Sequence, residues 1–236
     1  MFLYLVPASG ILLTVIFLFF RKPVVKPQTA MLKSLCSAFF VFTVIAGLLY
    51  NKNATPGFAA LMVCGGVFGI FGDIWLDLKY VYKSDSAEYL KAGFISFLIG
   101  HIFYSSAFAL NFNIKPLHLL IALAGGVGVA LITAFTENVI GVYYGGFKKL
   151  TVTYMFFLGF TVFLSLACAL SCGFTLFSIL VCLGMIFFIA SDVVLSGIYF
   201  GEGKCTRFNV VLNHSLYYTG QYLLAISLFF AQNYRG

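Results

Sequence analysis

The segment GIFGDIWLDL, residues 69 to 78, sets Asp73 and Asp77 one helical turn apart at the end of a long apolar run. A carboxylate deep in a bilayer costs roughly 2.5–3.5 kcal/mol on insertion scales, so it normally faces a bundle interior or a watery cavity and marks a candidate site. At about 100° per residue, Gly65, Gly66, Gly69 and Gly72 share the side of the helix that carries Asp73. Small residues let helices approach closely, so that side is expected to be buried against protein. Asp77 lies nearer the helix end, where a solvated side chain explains it as well as a functional one. Asp192 stands in FFIASDVVLSG, with Met185, Phe188, Ile189 and Ser196 around it on the wheel. A carboxyl withdrawn from water holds its proton more tightly, and two neighbouring carboxylates tend to keep one proton between them. Asp73 and Asp192 would together offer an acid and a base, with the assignment of each open. A structural ion pair between Asp192 and Lys33 is the alternative.

Other polar residues fall on particular helical faces. In NHSLYYTGQY, His214, Tyr218 and Gln221 form one polar stripe, and Phe94, Phe97, His101, Ser105 and Phe108 share a face with Tyr104 at its edge. His118 reads as an interface residue, and Asp85, Glu88, Glu137 and Glu202 as solvated loop charges. There is no GxSxG, P-loop or HExxH. The histidines are not closely spaced, so a zinc site would need His101, His214 and an aspartate from separate helices. No metal and no cofactor are expected. The cysteines contain no CxxC, and Cys168 and Cys172, which share a face, read as small packing residues.

These residues need elements to hold them, and composition says which. The chain has 236 residues, 62% hydrophobic and 9% charged, whereas soluble domains are about half apolar and a quarter charged. Apolar runs of bilayer-crossing length, about 20 residues each, recur throughout. The expected fold is an all-α integral membrane protein, a single domain over 1–236 with about eight spans: 2–20, 31–50, 57–78, 92–112, 116–136, 149–170, 173–200 and 208–231. Near-continuous apolarity argues against strands, and the first run reads as a retained span instead of a cleaved leader. Arg21, Lys22, Lys26, Lys33, Lys79, Lys83, Lys91, Lys148, Lys149, Lys204 and Arg207 fall after odd-numbered spans, and Lys52, Lys115 and Arg235 on the other side. The positive-inside rule then puts both termini outside the cytoplasm, and Lys33, Asp73, Asp77, Asp192 and His214 in its half of the membrane. The net charge of +7 is spread through these loops, which argues against a nucleic-acid partner.

GDIWLDL, GFISFLIGHIFY, SDVVL and YYTGQYLL, in that order on these spans, resemble the YhhN family, which includes mammalian lysoplasmalogenases. The likeness runs from about Lys33 to Phe230. It implies an eight-helix hydrolase in a bacterial-type plasma membrane, acting on a lysophospholipid among membrane lipids. The reaction would cleave the vinyl-ether bond of lysoplasmalogens to a fatty aldehyde and a glycerophospho-amine. The family's Gly-Asp and Ser-Asp aspartates match Asp73 and Asp192. Its span-two lysine matches Lys33, although the usual Lys-Pro reads Lys-Ser here and Lys26-Pro27 is a rival match. Its span-four His and Tyr match His101 and Tyr104, and its last-span Tyr and Gln match Tyr218 and Gln221. On this reading Lys33 meets a phosphate, while Asp77, His101, Tyr104, His214, Tyr218 and Gln221 bind or orient substrate and water. The rivals are a proton-coupled transporter of a lipid or small amphiphile and a metal-dependent intramembrane lipid hydrolase.

Overall fold

Prolines and threonines punctuate the apolar runs where helices begin. In the computed structural model, which describes residues 2–232, the runs become α1 (Leu5–Phe20), α2 (Pro27–Tyr50), α3 (Pro56–Val81), α4 (Ser86–Asn111), α5 (Pro116–Phe135), the short α6 (Glu137–Ile140), α7 (Lys148–Ser171), α8 (Leu176–Phe200) and α9 (Arg207–Ser227). Arg235, placed above on the weakly charged side, lies outside the described residues. Pro27, Pro56 and Pro116 open α2, α3 and α5, a position where the missing N–H would be unpaired anyway. The hydroxyls of Thr55, Thr175 and Thr206 cap α3, α8 and α9, each satisfying one orphan N–H of a first turn.

Seven of the eight long helices are long and apolar enough to cross a membrane; the chain is a multi-pass membrane protein. The exception among the expected spans is α9. It has 21 residues, but its apolar character is interrupted by Asn213, His214, Tyr217, Tyr218 and Gln221, all buried. Two helices begin earlier than hydropathy predicts: α2 at Pro27 and α4 at Ser86. Both first turns are polar, and in α4 Glu88 favours a helix N-terminus and pairs with Lys91 at 2.8 Å.

The helices form a closed ring in the order α2, α3, α4, α7, α8, α9 and back to α2, with α1 laid across α2 and α9 and α5 leaning on α7. The interior holds buried rings, among them Phe40, Phe58, Tyr104, Phe108, Phe177 and Phe188. The glycine side of α3 lets these rings in. Tyr104 lies on Gly65, Phe40 on Gly66 and Phe97 on Gly72. Gly184 and Gly220 give α8 and α9 a similar close approach. A methyl group at Gly65 would collide with the buried Tyr104 ring. Overpacking of this kind costs about 1–3 kcal/mol. Gly65→Ala is therefore expected to lower the thermal midpoint in detergent, and an unchanged midpoint would show that Tyr104 yields freely.

Candidate active site

On α3, the aspartate beyond the glycine face finds a cation. Asp73 Oδ1 is 3.0 Å from Lys33 Nζ, while its Oδ2 accepts hydrogen bonds from the Ser37 and Tyr217 hydroxyls, the latter at 2.9 Å. Lys33 and Ser37 are one turn apart on α2, so both reach the same carboxylate. The Lys33 ammonium also reaches the Asp73 carbonyl oxygen at 3.3 Å and Asp77 Oδ1 at 3.5 Å. Its three N–H groups thus face three acceptors, and Lys33 sits as the counter-ion of Asp73 instead of standing free for a phosphate. Asp77 is gripped by both terminal nitrogens of Arg21, at 2.7 and 3.1 Å. Arg21, Asp77, Lys33 and Asp73 form a buried chain of alternating charge, each at most 4% exposed. Asp77 is therefore an interior residue and not a solvated helix end.

Asp192 is held differently. Its Oδ2 accepts a hydrogen bond from the Tyr154 hydroxyl, which also lies 3.4 Å from His101 Nε2. None of the ion pairs among the described residues involves Asp192, which removes the expected alternative of a bond to Lys33. The two aspartates nevertheless line one small cavity with Lys33, Asn213, His214 and Tyr217. A second, apolar chamber adjoins it, bounded by Phe94, Thr151, Tyr154 and Met155. Both chambers share Leu76, Phe97, Asp192, Leu195 and Tyr199, so Asp192 stands on the border between a polar and an apolar compartment. Each has a volume of about 30 Å³, enough for a water molecule and too small for a lipid chain.

The remaining expected site residues sit in a surrounding layer. Tyr218 donates to the Lys33 carbonyl at 3.0 Å and lies 3.1 Å from Ser37. Gln221 donates to the Tyr217 hydroxyl at 2.7 Å, which turns that phenol's own proton toward Asp73. His214 lines the polar chamber and donates from Nδ1 to the Val210 carbonyl at 2.7 Å. Tyr104 packs on the glycine face, and its hydroxyl, His101 Nδ1 and Gln221 Oε1 are buried with no hydrogen-bond partner among the described residues. His118 lies apart, buried in the first turn of α5, where its Nδ1 accepts from the Lys115 N–H at 3.2 Å. No three His, Cys, Asp or Glu side chains converge as a metal site among the described residues.

Four site residues escape a reading of the sequence. Tyr217 falls on the His214–Gln221 stripe, so helical spacing alone could have found it. Ser37, four residues after Lys33, carried a weaker signal of the same kind. Tyr154 looks like one more aromatic in an apolar helix, and Arg21 like one more loop charge.

Fold and site define a class: a polytopic helical membrane protein whose interior holds one carboxylate neutralised by a lysine and another with no counter-ion among the described residues. Within that class the assignment is specific. The YhhN family model matches residues 21–228, a segment containing every charged residue of the site, and the chain belongs to the YhhN family. No curated protein and no solved structure matches the chain.

Proposed function

We propose that this protein is an intramembrane hydrolase that cleaves the vinyl-ether bond of lysoplasmalogens, releasing a fatty aldehyde and a glycerophospho-amine. The observation that carries the reading is the unequal pair on one cavity: Asp73 beside Lys33, and Asp192 without a cation among the described residues. A vinyl ether resists nucleophiles until its β-carbon is protonated. Asp192, on the border of the apolar chamber, holds the proton and delivers it to that carbon as the double bond opens. The oxocarbenium ion that forms is steadied by the Asp73 carboxylate, much as paired carboxylates serve glycoside hydrolysis.

Water in the polar chamber then adds to the cation and gives its proton to Asp73. The hemiacetal hydroxyl returns a proton to Asp192, the carbon–oxygen bond to glycerol breaks, and Asp73 protonates the departing oxygen. Both side chains end as they began, and one water is consumed. Lys33 and the Tyr217 and Ser37 hydroxyls hold and orient the Asp73 carboxylate. The small chambers require Leu195 and Phe97 to move aside as the chain enters. By the positive-inside rule the site opens toward the cytoplasmic leaflet.

The test is incubation of the purified protein with lysoplasmenylethanolamine in D₂O. The expected product is a fatty aldehyde carrying a single deuterium on the carbon next to the carbonyl, detected by mass spectrometry. Unchanged lipid, or movement of intact lipid across vesicles driven by a proton gradient, would overturn the hydrolase reading.

A further inference from the structure

The basic end of the bundle holds many cations, and they differ in what they meet. Arg21 and Lys33 lie in the buried charge chain, Lys91 pairs with Glu88 and Lys148 with Glu137, and Lys204 donates to the Ile140 carbonyl. Lys79, in the last turn of α3, is half-buried and pairs with no carboxylate among the described residues. Its ammonium is instead 3.4 Å from the centroid of the Tyr199 ring and 5.0 Å from that of Tyr80. A lysine at a helix C-terminus is favourable in its own right. That accounts for its place on α3 and not for an ammonium laid over a ring of α8.

Tyr199 is the link to the site, because its side chain lines both chambers. Asp192, Leu195, Ser196 and Tyr199 follow the three- and four-residue spacing of one helical face, which puts Tyr199 about 10 Å along α8 from Asp192. On α3, Lys79 lies six residues past Asp73, a rise of about 9 Å toward the same end of the bundle. A lysolipid whose ether bond sits between Asp73 and Asp192 and whose head group points toward that end has its phosphate three glycerol carbons nearer the Lys79 side chain. A half-desolvated ammonium without an anion is what such a phosphate would complete.

We infer that Lys79, steadied on the Tyr199 ring, binds the phosphate of the single-chain lipid and selects phosphate-bearing substrates over neutral ones. This rests on the vinyl-ether reading for its substrate and takes the phosphate role once expected of Lys33. The experiment compares lysoplasmenylethanolamine with a 1-O-alkenylglycerol lacking phosphate, in the wild type, Lys79→Met and Lys79→Arg. The ratio of kcat/KM for the two lipids is expected to fall about tenfold to a hundredfold in Lys79→Met, the loss of one charge-assisted contact, and to be largely kept in Lys79→Arg. A ratio unchanged in Lys79→Met overturns the assignment.

Binding distinguishes this from failure of the hydrolase reading. Saturated lysophosphatidylethanolamine and a monoacylglycerol cannot be cleaved at a vinyl ether, so their affinities report on Lys79 without turnover. A selective loss of the phospholipid's affinity in Lys79→Met supports the phosphate site even if the wild type releases no aldehyde. Equal affinities in wild type and Lys79→Met reject it.

Discussion

Replacing Asp192 with asparagine is expected to abolish aldehyde release, lowering kcat by about 10²–10⁴-fold, the usual worth of a positioned acid. Asparagine keeps the shape and can still accept the Tyr154 hydrogen bond, but it has no acidic proton to deliver to carbon. Asp192→Glu is expected to restore part of the rate, because the acid returns in a slightly displaced position. The wild type should also show slower turnover in D₂O than in H₂O, since proton transfer to carbon is the difficult step. Asp73→Asn is expected to reduce kcat as well, for a different reason: it leaves the oxocarbenium ion facing Lys33 with its counter-charge removed. Melting curves in detergent check that each variant folds. A well-folded Asp192→Asn protein with kcat within a few-fold of wild type would remove Asp192 from the chemistry, whatever Asp73 does.

How these residues could be read beforehand follows from what helical periodicity reports. It says which side of a helix turns inward, and so the glycine side of α3, the His101 face of α4 and the polar stripe of α9 were all legible. It does not say which neighbour that side will meet. Asp73 could be placed in the interior from Gly65, Gly69 and Gly72, yet its partner Lys33 is 40 residues away and no spacing rule connects them. Asp77 was ambiguous for the same reason. Its position at a helix end suggests water, and only the docking of Arg21 from the turn after α1 makes it an interior residue. Tyr154 was hidden by its surroundings, because a phenol in an apolar run serves equally as packing or as a donor. Helix ends were misplaced where polar first turns continue past the apolar stretch, as in α2 and α4. Seven of the eight runs were visible because lipid demands apolar length, while the site depends on pairings across the ring that α2, α3, α4, α7, α8 and α9 close.

Arg21 is where the largest stability effect is expected. Removing one partner of a buried ion pair leaves the other charge uncompensated, at a cost of about 3–5 kcal/mol. In Arg21→Met, Asp77 would keep only Lys33, at 3.5 Å, and would lose both guanidinium hydrogen bonds. Arg21→Lys is expected to recover part of the loss, since an ammonium keeps the charge but not the planar fork that meets two carboxylate oxygens. The double variant Arg21→Met with Asp77→Asn should be more stable than Arg21→Met alone, because the stranded charge goes with its partner, and the cycle isolates the pair's coupling. Unfolding in mixed detergent micelles measures the wild type, Arg21→Met, Arg21→Lys, Asp77→Asn and the double variant. A loss below about 1 kcal/mol in Arg21→Met would place the pair among weak, solvated ion pairs. The consequence reaches the site through Lys33. An Asp77 freed from Arg21 draws the ammonium toward itself and away from Asp73, so Arg21→Met should also lower kcat, and the double variant should recover rate as well as stability.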